Sequence, residues 1–174
     1  MKRLHNIVHY VISKADYRKV GKTKLNKILW FADREFMRKH IDTITHSQYI
    51  KMPYGPVPKK IDKILKALER EQNIISKEVQ LGATVQKSFI SLKEPDISMF
   101  TPEEISILDK YIYGISEKFT ASEISEISHD EDWESAEIGE VIPVETIFGN
   151  DINQDVTPDD IEEAKAFFDS RNSQ

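Results

Sequence analysis

Cysteine is absent from the 174 residues. That removes disulfides, thiolate metal sites and cysteine nucleophiles together, and makes a reducing cytoplasm the expected location. Also missing is any apolar run near the roughly 20 residues that a membrane-spanning helix requires. The basic start, MKRLHNIVHY, interrupts its apolar stretch with polar residues and offers no small-residue cleavage site, so it does not read as a signal peptide. No glycine-rich phosphate loop, H-E-x-x-H or G-x-S-x-G signature occurs. Enzymatic chemistry has little to start from, and neither a cofactor nor a metal is expected.

Charge, by contrast, is plentiful and unevenly laid out. With 39% apolar and 31% charged residues, the chain fits one compact domain large enough to bury a real core. The net charge of −6 hides a split: residues 1–75 carry 17 Lys/Arg against 7 Asp/Glu, and residues 76–174 carry 7 against 23. Such asymmetry suits a basic surface for nucleic acid, two faces for a charged partner, or two ends of the chain that neutralise each other.

Apolar spacing predicts a mainly α, α-rich α+β fold, with about six helices around a central apolar helix and one small β-hairpin. Leu4, Ile7, Val8, Val11, Ile12 and Ala15 mark a first amphipathic helix, which Gly21 ends. The central one is expected from about Thr23 to Lys39. Its stripe is Leu25, Ile28, Leu29, Ala32, Phe36 and Met37, widened by Trp30 and Phe31, with Lys24, Lys27, Arg34 and Arg38 mostly outside it. Val57, Ile61, Ile64, Leu65 and Leu68 give a third, ending near Gln72, with Pro58 in its first turn. NIISKEV and TVQKSFISL, separated by QLGA, alternate as two strands around a turn. Thr101, Thr120 and Thr157 each stand where a helix N-cap belongs, and Thr101-Pro102-Glu103-Glu104 spells a capping box. The last of these helices would carry Ile161, Ala164, Phe167 and Phe168.

Two stretches invite a functional reading. In YIKMPYGPVPKK (49–60), three of the seven prolines fall within six positions, at Pro53, Pro56 and Pro58. They make either a rigid lead-in to the third helix or a fixed platform that holds Tyr54 out for a partner. In SHDEDW (128–133), four consecutive polar residues point in different directions on a helix and do not converge on one ion. There His129 and Asp132 are expected to orient one another or the backbone, with Trp133 as a core anchor. His5 and His9, one helical turn apart, read as packing residues and not as a chelate. The run Arg18, Lys19, Lys22, Lys24 and Lys27 could touch phosphates, but no recognition helix accompanies it.

Taken in order, KLNKILWFAD (24–33), YIKMPYGPVP (49–58) and ISHDEDW (127–133) resemble the three motifs of the SocA-like antitoxin, or Panacea, domain. The resemblance extends over about residues 4–150. It implies a domain at 1–150, with 151–174 as a C-terminal helical extension packed on or appended to it. By the same resemblance the chain is an antitoxin of a bacterial or phage pair that binds and neutralises a toxin protein. Self-association, nucleic-acid binding as a transcriptional regulator and service as a protease adaptor stay open beside that; a membrane partner is not implied. The expected partner-binding residues are Tyr49, Lys51, Pro53, Tyr54, Gly55, Pro56, Lys59 and Lys60. Leu25, Leu29, Trp30, Phe31, His129, Asp132 and Trp133 would be the structural motif residues.

Overall fold

The structure, a computed structural model, describes residues 2–151. The expected helix from Thr157 lies outside the described residues, as does all of the extension past Asp151. Within them the element order is α1 (Lys2–Lys14), α2 (Lys22–His40), β1 (Tyr49–Met52), β2 (Gly55–Pro58), α3 (Ile61–Arg70), β3 (Ile74–Leu81), β4 (Thr84–Ser91), α4 (Pro102–Lys118), α5 (Ala121–Ile127), α6 (Glu131–Ser135), β5 (Val141–Ile142) and a 3-10 segment (Val144–Asp151). The fold is α+β.

Local chemistry accounts for the boundaries. Thr101 caps α4 by accepting from the Glu104 N–H while the Glu104 carboxylate accepts from the Thr101 N–H, and Thr120 and Glu123 repeat the exchange at α5. Each box satisfies two backbone donors that would otherwise be orphaned at the helix start. Glu104 also pairs with Arg3, which ties the start of α1 to that of α4. β3 and β4 pair antiparallel from Ile74↔Ser91 to Leu81↔Thr84, and Gly82, at φ +60°, occupies the turn. That hairpin is the one expected; the departure from expectation lies at the proline segment. The proline segment is itself a β-hairpin, β1 with β2, and β5 joins it to give a three-stranded sheet in the order β2-β1-β5. Pro58 therefore ends a strand, and α3 begins only at Ile61.

Prolines survive in that ladder because of where their nitrogens point. The Lys59 N–H donates to the Gln48 carbonyl at 2.9 Å. Alternate residues of a strand face alike, so Val57 also points toward β1, while Pro56 and Pro58 point away and cost the ladder nothing.

Two apolar clusters form the interior. The larger joins α1, α2, α3, α4 and α5 through residues such as Ile7, Val11, Leu25, Ile28, Leu29, Leu65 and Leu108. A smaller one gathers Trp30 and Met37 of α2 with Tyr49, Ile142, Val144 and Ile147. α2 touches α1, α4, α5, β2, β4 and the 3-10 segment. Its surface is less simply apolar than the stripe suggests: Lys24, Lys27, Asp33 and Arg34 are buried, whereas Phe36 is only half-buried.

Candidate functional site

The three motif segments, distant in sequence, meet at one place. Gly55, which opens β2, sits at φ +96°, a conformation glycine adopts without strain. A side chain there would collide with the Lys27 Nζ from α2 and the Ser128 Oγ at the end of α5. The glycine of the proline motif is thus the point where the other two motifs close in. Ser128 is itself buried and donates to the Ser125 carbonyl at 2.6 Å.

Lys27 contradicts its expected place outside the stripe, since its side chain has no exposed surface. A lysine can be placed there because four methylenes carry the amine through the apolar layer to a carbonyl. Nζ donates to the Pro56 carbonyl at 3.2 Å, and desolvation pushes its pKa down to about 7.

Further along α2, Asp33 is fully buried. It accepts from the Thr45 N–H at 2.9 Å, from the Thr45 hydroxyl and from the Tyr49 hydroxyl at 2.7 Å. Burial nonetheless pushes its carboxyl up to about 6, against the pull of those donors. This node fixes the 41–48 loop and orients Tyr49, whose ring meets Trp30 edge-on at 4.9 Å. Nothing in the alternation of residues around Asp33 marked it. The signal available was an aspartate inside an apolar helical stripe, which is costly without partners.

The SHDEDW segment closes the arrangement from the other side. Asp130 caps α6, accepting from the Trp133 N–H at 3.0 Å, and pairs with Arg34. Trp133 is half-buried, short of the full burial expected of a core anchor, and packs against the smaller cluster. Its ring stacks on His129 with centroids 3.6 Å apart and planes at 6°, and its Nε1 donates to the Met52 carbonyl at 3.2 Å. His129 is oriented by this stacking; it makes no hydrogen bond with Asp132. Its Nε2 is buried without a hydrogen-bond partner, and desolvation together with the nearby Lys27 charge lowers its pKa. Lys51 spans the junction: Nζ lies 4.1 Å from the Trp133 ring centroid and donates to the Ala136 carbonyl at 3.0 Å and the Glu134 carbonyl at 3.2 Å.

The eight residues expected at a partner surface therefore divide. Tyr49, Lys51, Gly55 and Pro56 turn inward and hold the hairpin, while Pro53, Tyr54, Lys59 and Lys60 are exposed. Lys51 in particular is committed to carbonyls and a ring and is no part of an open basic rim. Leu25, Leu29 and Trp30 are buried and Phe31 is half-buried. Beside the hairpin turn lies a hollow of about 320 Å³ lined by Met52, Pro53, Tyr54, Val57 and Ile61 along with residues of α2.

Neither of the other candidate constellations assembles. His5 pairs with Glu71 at 2.9 Å, and His9 is buried against the Ser91 hydroxyl at 2.9 Å. Among the described residues no cluster of three or more His, Cys, Asp or Glu could hold a metal. The basic run is dispersed. Arg18 pairs with Asp16, Lys19 with Glu117 and Lys22 with Asp62, and Lys24 is buried and donates to the Ser116 carbonyl at 3.4 Å. Part of the charge split is consumed internally, since Arg3–Glu104, Lys19–Glu117 and Arg34–Asp130 each join a cation of the basic half to an acid of the acidic half. No helix among the described residues is long and apolar enough to cross a membrane.

The hairpin is held between α2 and the end of α5 at Gly55, Lys27 and Ser128, and Tyr54 stands exposed at its turn. The family model described as "Antitoxin SocA-like, Panacea domain" matches residues 25–134. The chain belongs to this family. The matched span opens in α2 and closes just after Trp133, so it contains Lys27, Gly55, Ser128 and Trp133 and is narrower than the 4–150 of the sequence resemblance. No curated protein and no solved structure matches the chain.

Proposed function

We propose that this protein is the antitoxin of a toxin–antitoxin pair, and that it neutralises a cognate toxin protein by binding it, without catalysis, in the cytoplasm. Membership of the antitoxin family carries the reading. The exposed turn of the β1–β2 hairpin is the surface we assign to the contact. Tyr54 there leaves 71% of its surface exposed. Pro53 precedes it and the clamped Gly55 follows, so little conformational entropy remains for binding to remove. Tyrosine in such a position is a typical interface anchor. The adjacent hollow of about 320 Å³ would take an apolar side chain of the toxin, and exposed Lys59 and Lys60 would steer an acidic patch toward it.

Co-expression with the product of the neighbouring gene, scored by growth, tests the pairing; continued toxicity in the presence of this chain would refute it. Calorimetric titration then tests the surface. Tyr54→Ala is expected to leave the thermal melt nearly unchanged and to weaken toxin binding by about 1.5–2 kcal/mol, the loss typical of a hot spot. Unchanged affinity would move the interface elsewhere.

A further inference from the structure

We infer that the chain's own segment 157–168 docks in a groove formed by α2, α4 and α5. Two hollows of about 510 and 470 Å³ adjoin on this face and share Phe31, Lys110, Tyr111 and Ile127. One end is basic. Arg34, Arg38, Lys39 and Lys110 line it together with one acidic residue, Glu35, among the described residues; Glu35 pairs with both lysines and Arg34 with Asp130. The other end is apolar and includes Tyr113 and Ile127, which leave 68% and 54% of their surface exposed. A contiguous surface of this kind is rarely left open to water.

The sequence outside the described residues matches that layout in order and in sign. Segment 157–168, TPDDIEEAKAFF, carries Asp159, Asp160, Glu162 and Glu163 in its first part and Phe167 and Phe168 at its end. Ile161, Ala164 and Phe168 recur at helical spacing, and twelve helical residues span about 18 Å. The acidic end suits the cationic hollow, and the phenylalanines suit the apolar one. Position favours the same pairing. Ile147 of the 3-10 segment lines the basic hollow, and the described chain ends at Asp151. Residues 152–156 can bridge up to about 17 Å. A site and a ligand joined by so short a connection meet at an effective concentration of about millimolar. The inference is independent of the toxin reading, because it concerns only contacts within the chain.

The absence of cysteine gives a clean background for trapping. Three full-length double variants, all keeping both phenylalanines, are needed: Ile127→Cys with Asp169→Cys, Tyr113→Cys with Asp169→Cys, and, as control, Val85→Cys with Asp169→Cys. Ile127, Tyr113 and Val85 are all exposed, so the substitutions spare the core. Dilute protein is oxidised with glutathione disulfide and read on non-reducing gels and by mass spectrometry. Both groove pairs are expected to close within one chain at least about tenfold faster than the control, the signature of a high effective concentration. Neutralising the acids (Asp159→Asn, Asp160→Asn, Glu162→Gln, Glu163→Gln) should slow closure severalfold. Closure no faster than the control overturns the inference. So do disulfides formed only between chains, which would assign the groove to a second copy.

Discussion

Replacing Lys27 with methionine is expected to stabilise the protein by an amount that depends on pH. The amine is fully buried, its one hydrogen bond among the described residues goes to the Pro56 carbonyl, and its pKa falls from 10.5 to about 7. Each pKa unit corresponds to about 1.4 kcal/mol, so holding this cation in the fold costs roughly 5 kcal/mol at most. The unfolded lysine keeps its proton up to about 10.5 and the folded one releases it near 7. Between those values the unfolded state binds more protons, so stability rises with pH. The penalty is absent above about 10.5, grows as the pH falls, and is complete below about 7. Methionine keeps the apolar stem and removes the charge, but leaves the Pro56 carbonyl without its donor, a loss of about 1–3 kcal/mol. The variant should therefore be more stable than the parent by about 2–4 kcal/mol at pH 6 and no more stable, or slightly less, at pH 10. Urea denaturation of both proteins at matched pH values measures this. A difference that stays constant from pH 6 to 10, or a parent more stable at pH 6, would refute the argument.

Gly55→Ala should cost about 2–5 kcal/mol in the same assay, combining a left-handed backbone strain with overpacking against Lys27 and Ser128. Asp33 acts in the opposite sense to Lys27. Its folded pKa of about 6 lies above the unfolded 3.8, so its contribution is fully present below about 3.8 and is lost as pH rises through 6. Asp33→Asn should flatten the stability profile between pH 4 and 6, and an unchanged slope would contradict the assignment. Leu29→Ala, at a site with no exposed surface, should cost about 2–5 kcal/mol, and the half-buried Phe36→Ala distinctly less.

Which parts of the molecule were legible in its sequence depended on whether the signal was local. Alternation over NIISKEV and TVQKSFISL, with Gly82 between, was enough for β3 and β4, and threonine–glutamate spacing was enough for the starts of α4 and α5. Both are interactions of residues with near neighbours. The β1–β2 hairpin escaped because prolines argue against a strand, and only the sheet order reveals that theirs is the outer one, with its nitrogens turned away. Lys27 escaped for a related reason. Charge places a residue outside an apolar stripe by default, and the carbonyl that receives this amine lies 29 positions along the chain. The motif resemblance identified Gly55, Ser128 and Trp133 as members of named segments. It could not say that the segments touch, which is the property that explains the glycine.

α2 borders both apolar clusters, with Leu25, Ile28 and Leu29 in the larger, Trp30 and Met37 in the smaller, and Phe31 packed against each. The smaller cluster is only the sheet edge and the 3-10 segment resting on one side of that helix. Native-state hydrogen exchange is therefore expected to separate two tiers, with β1 and β5 opening at lower free energy than α1 and α4.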